Sequence, residues 1–197
     1  MLYFSHFLFL LIFLNNRLMD LELKFNWIDL IALLILIRII YIAVSRGFVI
    51  EFFKTLGSLG SLFFSFQFYE NLGEFFLKYF HFLGEFSKLV SFLLIYGVGW
   101  LVIKYIRVIL IFLFKVEAHS LIERWFSLFL GIFRASLLIS ITFFLLHLLN
   151  IEYLNKSLES SFSFYLLKNL APKTYVFLGN SVEKIAPAIE VKSLEEF

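Results

Sequence analysis

Long apolar stretches alternate with short polar ones along the chain, and they predict four membrane-spanning helices. The stretches cover residues 26–45, 48–69, 89–114 and 126–149, and each reaches or exceeds the roughly 20 residues that a spanning helix needs. The two prolines both lie near the C-terminus, so upstream helices are uninterrupted. Because no strand-like alternation occurs, the pattern predicts an all-α polytopic membrane bundle rather than a barrel.

The regions between and outside these stretches complete a three-part organisation. Residues 1–24 form an apolar N-terminal extension, which we interpret as an interfacial helix or as a non-native start of the chain. Residues 25–150 form the four-helix transmembrane domain, and residues 151–197 form an amphipathic C-terminal tail that we expect to lie on the membrane surface. We expect a polar loop over residues 70–88.

Two basic residues in the third apolar stretch suggest where that membrane span ends. Lys104 and Arg107 share one helix face, and we expect the span to end near them, with both charged groups reaching the headgroups. Residues 108–115 would then run along the interface.

The composition supports a protein whose solvent is the bilayer. The chain is 61% hydrophobic and 16% charged, whereas soluble domains are about 45–50% apolar and about 25% charged. The chain contains no cysteine, which excludes disulfides and thiol catalysis, and its net charge of +2 is too small to indicate nucleic-acid binding. The lipid bilayer is therefore the expected partner.

The distribution of basic residues predicts an orientation. Lys and Arg are dense on the side that holds the 46–54 turn and the 104–125 connection. Because basic residues concentrate in cytoplasmic loops, this side is predicted to be cytoplasmic.

Three ionisable residues lie within the predicted spans at similar depth. Arg38 and Arg134 are each about 12 Å from the same side and Glu51 is about 7 Å from it, at about 1.5 Å per helical residue. Charges in a span usually face a bundle interior or water. Two interpretations remain: an intramembrane cluster in which Glu51 neutralises the arginines, or separate arginines that reach the headgroups individually.

Small residues within the spans are candidates for close helix packing. They are Gly57, Gly60, Ser61, Gly131 and Ala135, and two pairs among them have small-xxx-small spacing. The spacing is compatible with packing within the bundle, with contact in a homo-oligomer, and with chance.

No catalytic or metal-binding motif accompanies these features. The four histidines are far apart, and the chain has no phosphate-binding loop or nucleophile motif. We therefore expect no catalytic residue, metal or cofactor. Asp29, at the start of the first span, is interpreted as a helix N-terminal charge or as a proton-relay acid.

A set of short motifs in a fixed order resembles the CvpA family, the colicin V production proteins of bacterial membranes. The motifs are Trp27-Ile28-Asp29, Gly47-Phe48-x-x-Glu51, Gly57-x-x-Gly60, Leu121-x-Glu123-Arg124 and Leu130-Gly131-x-x-Arg134, followed by Ser161, Ser163 and Ala171-Pro172. The family positions among the site candidates are Asp29, Gly47, Glu51, Gly57, Arg124, Gly131 and Arg134. Arg38 is not part of the family pattern.

The resemblance implies a multi-pass protein of the bacterial inner membrane. It further implies a non-enzymatic role in the production or export of a peptide toxin and in envelope homeostasis, with export or envelope proteins as partners. The alternative is a small transporter or channel subunit, with Arg38, Glu51 and Arg134 along a polar path.

Overall fold

The computed structural model describes residues 26–79, 84, 86–114 and 121–185, and this part of the chain is a helical bundle without strands. Four long helices come first: α1 (Trp27–Arg46), α2 (Phe48–Tyr79), α3 (Ser87–Phe114) and α4 (Leu121–Leu148). Three shorter helices follow: α5 (Glu152–Glu159), α6 (Phe162–Leu167) and α7 (Leu170–Ile185). The N-terminal extension, residues 1–24, lies outside the described residues.

The first four helices are long and apolar enough to cross a membrane, which confirms the four-span prediction. Their candidate spans are Trp27–Arg46, Phe48–Tyr79, Ser87–Ile109 and Ile122–Leu148. Most of their apolar side chains face outward, as expected of helices whose outer surface contacts lipid. The prediction of an all-α polytopic bundle is therefore confirmed.

One predicted helix end is wrong. The expected loop over residues 70–88 is shorter, because α2 continues to Tyr79. Glu74 and Lys78 have the i, i+4 spacing that supports a helix, and no proline interrupts this segment. The α3 helix continues past Lys104 to Phe114, because the following apolar residues contain neither glycine nor proline. Its candidate span is Ser87–Ile109, and the end of the span near Lys104 and Arg107 stays a prediction.

A single residue joins α1 to α2. Gly47 has φ +81°, a left-handed backbone value that side-chain-bearing residues rarely adopt. The chain therefore changes direction at Gly47, and the first turn of α2 follows directly on the last turn of α1.

The described part of the tail is amphipathic, and one of its helices packs into the bundle instead of lying apart from it as a surface segment. Ala171 and Tyr175 of α7 are fully buried in the core formed by α2, α3 and α4. The Tyr175 ring packs against Phe66, and its hydroxyl donates to Gln67 Oε1 at 2.6 Å. A large aromatic surface and a hydrogen bond thus dock α7 against the bundle.

Candidate functional site

The candidate site begins with a carboxylate in the first turn of α2. Glu51 is fully buried, although an isolated charge inside a protein is strongly destabilising. Its position near the N-terminus of α2 is favourable for an anion, because the backbone N–H groups of the first turn carry partial positive charge. The macrodipole alone contributes only about 0.3–1 kcal/mol, up to about 2 kcal/mol in partly buried geometries, so Glu51 also needs cationic partners.

Two cations provide that compensation, one on each carboxylate oxygen. Arg134 Nε on α4 donates to Glu51 Oε1 at 2.5 Å, and Arg134 Nη2 forms an ion pair with the same oxygen. Lys54 Nζ, one turn along α2, donates to Glu51 Oε2 at 2.8 Å. We call Glu51, Lys54 and Arg134 the ion triad, and its longest-range contact joins α2 to α4 across 83 positions of sequence.

The ion triad differs from the predicted intramembrane cluster in one member. Arg38 lies exposed on α1 and has no described ion pair with Glu51. Lys54 occupies the second cationic position instead. The i, i+3 spacing of Lys54 from Glu51 was the sequence signal for this local pair. Arg38, in contrast, was grouped with Glu51 only because the two residues have a similar predicted depth in the membrane.

Asp29 organises a second polar site at the opposite end of the bundle. Its Oδ2 accepts from the Asn26 backbone N–H at 2.9 Å, while the Asn26 side chain accepts from Ile28 N at 2.9 Å. These are the two halves of a helix cap on α1. Asp29 Oδ1 also accepts from Ser161 Oγ at 2.8 Å and from the Ser163 N–H at 2.7 Å, and the Ser163 hydroxyl donates to it as well.

Asp29 therefore links the start of the transmembrane domain to the tail. The sequence interpretation as a helix N-terminal charge described only one of its contacts. The link to Ser161 and Ser163 was not predicted, because these residues are 132 and 134 positions away.

Small residues bring the spanning helices close together at several points. A Cβ built on Gly57 would lie 2.9 Å from Ile103 Cγ2, and one built on Gly131 would overlap Ala43 Cβ. A Cβ built on Gly99 would likewise lie only 2.8 Å from Ser61 Oγ. These contacts place α2 against α3 and α1 against α4.

The two remaining predicted packing positions differ in their surroundings. Ala135 is fully buried, whereas a Cβ on Gly60 would make only an ordinary contact of 3.6 Å with Ile103 Cδ1. At the start of α4, Arg124 is exposed. Ser127, one turn later, donates its hydroxyl to the backbone carbonyl of Ala43, a contact that sequence inspection did not reveal.

The chemistry of both polar sites is that of structural support. Both Glu51 oxygens and both Asp29 oxygens accept hydrogen bonds within the chain. In the described residues no group of three His, Cys, Asp or Glu side chains could hold a metal ion. The site therefore fixes helices relative to one another and presents no free carboxylate pair for acid–base chemistry.

A comparison with known families agrees with this architecture. The family described as "Colicin V production protein" matches residues 28–172, an interval that begins just before Asp29 and ends just after Ala171. No curated protein and no solved structure matches the chain. Since the match covers most of the chain and all four spans, the protein belongs to the colicin V production protein family.

Proposed function

We propose that the protein is a non-catalytic component of the bacterial inner membrane that assists production or export of a colicin V-type peptide and contributes to envelope homeostasis. The observation that carries the proposal is the family match across residues 28–172. The geometry supports it, because the conspicuous charged groups are engaged in holding helices together. A protein built in this way acts through its surfaces, by contacting export or envelope proteins.

The transporter alternative receives no support from the positions of the charges. Glu51 is fully buried and is paired with Arg134, whereas Arg38 lies on an exposed part of α1. A conducting polar path requires charges that face a common water-filled cavity, and these three residues do not.

Secretion of a colicin V-type peptide from a producing strain tests the proposed function. Deleting the gene should reduce the active peptide in the medium while the peptide inside the cell persists, and plasmid-borne wild-type protein should restore secretion. Glu51→Gln should restore it poorly, and Glu74→Gln, the same change at an exposed position of α2, should restore it fully. Unchanged secretion in the deletion strain would contradict the proposal.

Ion flux provides the complementary test. Liposomes that contain the purified protein should show no more proton or potassium flux than empty liposomes. Flux that Glu51→Gln or Arg134→Gln abolishes would favour the channel alternative instead.

A further inference from the structure

An apolar groove of about 720 Å³ runs along the outer surface between α2 and α3. Gly60 and Gly99 lie along it. Phe64, Phe68 and Phe75 line the α2 side. From Gly60 to Phe75 the groove follows α2 for 15 residues, or about 22 Å at 1.5 Å per residue, which exceeds the roughly 15 Å hydrocarbon depth of one membrane leaflet.

Three cations surround the end of this groove nearest the α1–α2 turn. Lys54, Lys104 and Arg107 line a small pocket that shares Ile103 with the groove. Lys104 Nζ lies 5.6 Å from the centre of the Trp100 ring, which also lines the pocket. The cationic pocket and the apolar groove thus adjoin each other at Ile103, so that charged residues lie beyond one end of the apolar groove.

In the described part of the chain, three basic residues and no acidic residue line the cationic pocket. Of these three basic residues, Lys54 forms an ion pair with Glu51. Glu51 is already bound by Arg134 and Lys54. An anion from outside the chain would therefore be stabilised at Lys104 and Arg107.

A buried hydroxyl lies between the two parts of this surface. Ser61 lines the groove and is almost completely buried, and its Oγ has no hydrogen-bond partner among the described residues. Buried hydroxyls normally have a partner. Ser61 is seven residues past Lys54 on α2, about 10 Å along the axis.

We propose that this surface binds one anionic phospholipid, with its phosphate at Lys54, Lys104 and Arg107 and one acyl chain in the groove between α2 and α3. Ser61 Oγ then donates to an ester carbonyl of the lipid, between the charged and apolar parts. Charge complementarity identifies the headgroup as anionic, and the length of the groove identifies the rest of the ligand as an acyl chain.

Thermal unfolding of the delipidated full-length protein in detergent tests the proposal. Phosphatidylglycerol should raise the Tm more than phosphatidylcholine with identical acyl chains, and inorganic phosphate at the same concentration should not reproduce the increase. Equal increases with the two lipids would overturn the anionic site. An equal increase with inorganic phosphate would show a simple anion site and overturn the lipid assignment.

Charge variants test the headgroup end. Lys104→Gln/Arg107→Gln should weaken phosphatidylglycerol binding about 10-fold or more, because each basic residue near the membrane surface contributes appreciably to anionic-lipid affinity. The matched control, Arg38→Gln/Arg124→Gln, also removes two positive charges, but neither residue lines the groove or the pocket. Equal effects of the two double substitutions would contradict the site.

Glycine variants test the acyl-chain end independently of charge. Gly60→Leu should fill the groove without overlapping the protein, because a Cβ there makes only an ordinary contact, and lipid binding should decrease. Gly97→Leu is the control, since Gly97 is not among the groove residues and a Cβ there meets no atom within 4 Å. If Gly60→Leu binds phosphatidylglycerol like wild type, the acyl chain does not occupy the groove.

Discussion

At the scale of single residues, the central feature is a carboxylate that neutralises charge inside the bundle. Glu51 accepts from Arg134 on one oxygen and from Lys54 on the other. Each side chain would be unfavourable in this buried environment without its partners. The polar residues that interrupt the apolar sequence near the α1–α2 turn therefore serve a packing role, because they fix α2 to α4.

Removing the carboxylate should destabilise the protein strongly. Glu51→Gln leaves Arg134 and Lys54 without their anion, and losing one member of a buried pair typically costs about 3–5 kcal/mol. Unfolding in mixed detergent with increasing dodecyl sulfate measures the loss. Glu74→Gln, on the exposed part of α2, should change the free energy of unfolding by less than about 0.5 kcal/mol. Equal effects of the two substitutions would refute a special role for Glu51.

At the scale of helices, close backbone contacts and one polar link set the arrangement. Gly131 lets α4 approach Ala43 of α1, and the Ser127 hydroxyl adds a hydrogen bond at the same crossing. At the other end of α1, Asp29 holds the tail through Ser161 and Ser163. α1 therefore packs against α4 near both ends and is also linked to the tail at the Asp29 end.

A bulky side chain at the α1–α4 crossing should separate these helices. Gly131→Leu places its Cβ too close to Ala43 Cβ for both to fit, and overpacking of this kind typically costs about 1–3 kcal/mol. Gly97→Leu introduces the same side chain into a helix with open space around it and should leave stability unchanged or slightly higher, because glycine is a poor helix former. Detergent unfolding compares the two variants, and equal losses would show that Gly131 does not mark a close crossing.

Loss of the Asp29 carboxylate should release the tail while the spans remain intact. Hydrogen bonds to a charged group contribute about 1.5–3 kcal/mol, so Asp29→Ala should speed tryptic cleavage in the tail by about 10-fold or more. Glu152→Ala is the control, because the Glu152–Lys156 pair is highly exposed and such pairs contribute little. An unchanged cleavage rate in Asp29→Ala would show that Asp29 does not hold the tail.

At the scale of the whole molecule, sequence reasoning predicted the bundle better than its internal contacts. Hydropathy and length define a span without knowledge of its neighbours, which is why all four were found. The Glu51–Arg134 contact depends on the rotation and tilt of two helices that are far apart in sequence. Depth alone placed Arg38 and Arg134 equally; the family pattern favoured Arg134, and the packing of α4 against α2 shows that Arg134 is the arginine that contacts Glu51.

Contacts of the tail were the least predictable part. The short α7 has an amphipathic pattern that suits a membrane surface and a protein surface equally. Its docking depends on where Tyr175 meets Phe66 and Gln67, and that depends in turn on the length of α4 and of the turns that follow it. Local sequence patterns do not specify these long-range positions.

The orientation of the whole molecule is a prediction that labelling can test in this cysteine-free chain. Tyr153 and Arg124 are exposed near opposite ends of α4. Because basic density places the Arg124 end in the cytoplasm, an impermeant thiol reagent on spheroplasts should label Tyr153→Cys and spare Arg124→Cys. The reverse pattern would invert the orientation, and labelling of both would contradict the span count.

The most direct test of the account is a double-mutant cycle on the Glu51–Arg134 ion pair. The free energy of unfolding is measured for wild type, Glu51→Gln, Arg134→Gln and the double variant in the same detergent series. Because removing both charges leaves neither one stranded, the double variant should be less destabilised than the sum of the single losses, with a coupling energy of about 1–3 kcal/mol. Additive losses, equal to the sum within about 0.5 kcal/mol, would contradict the claim that this pair joins α2 to α4.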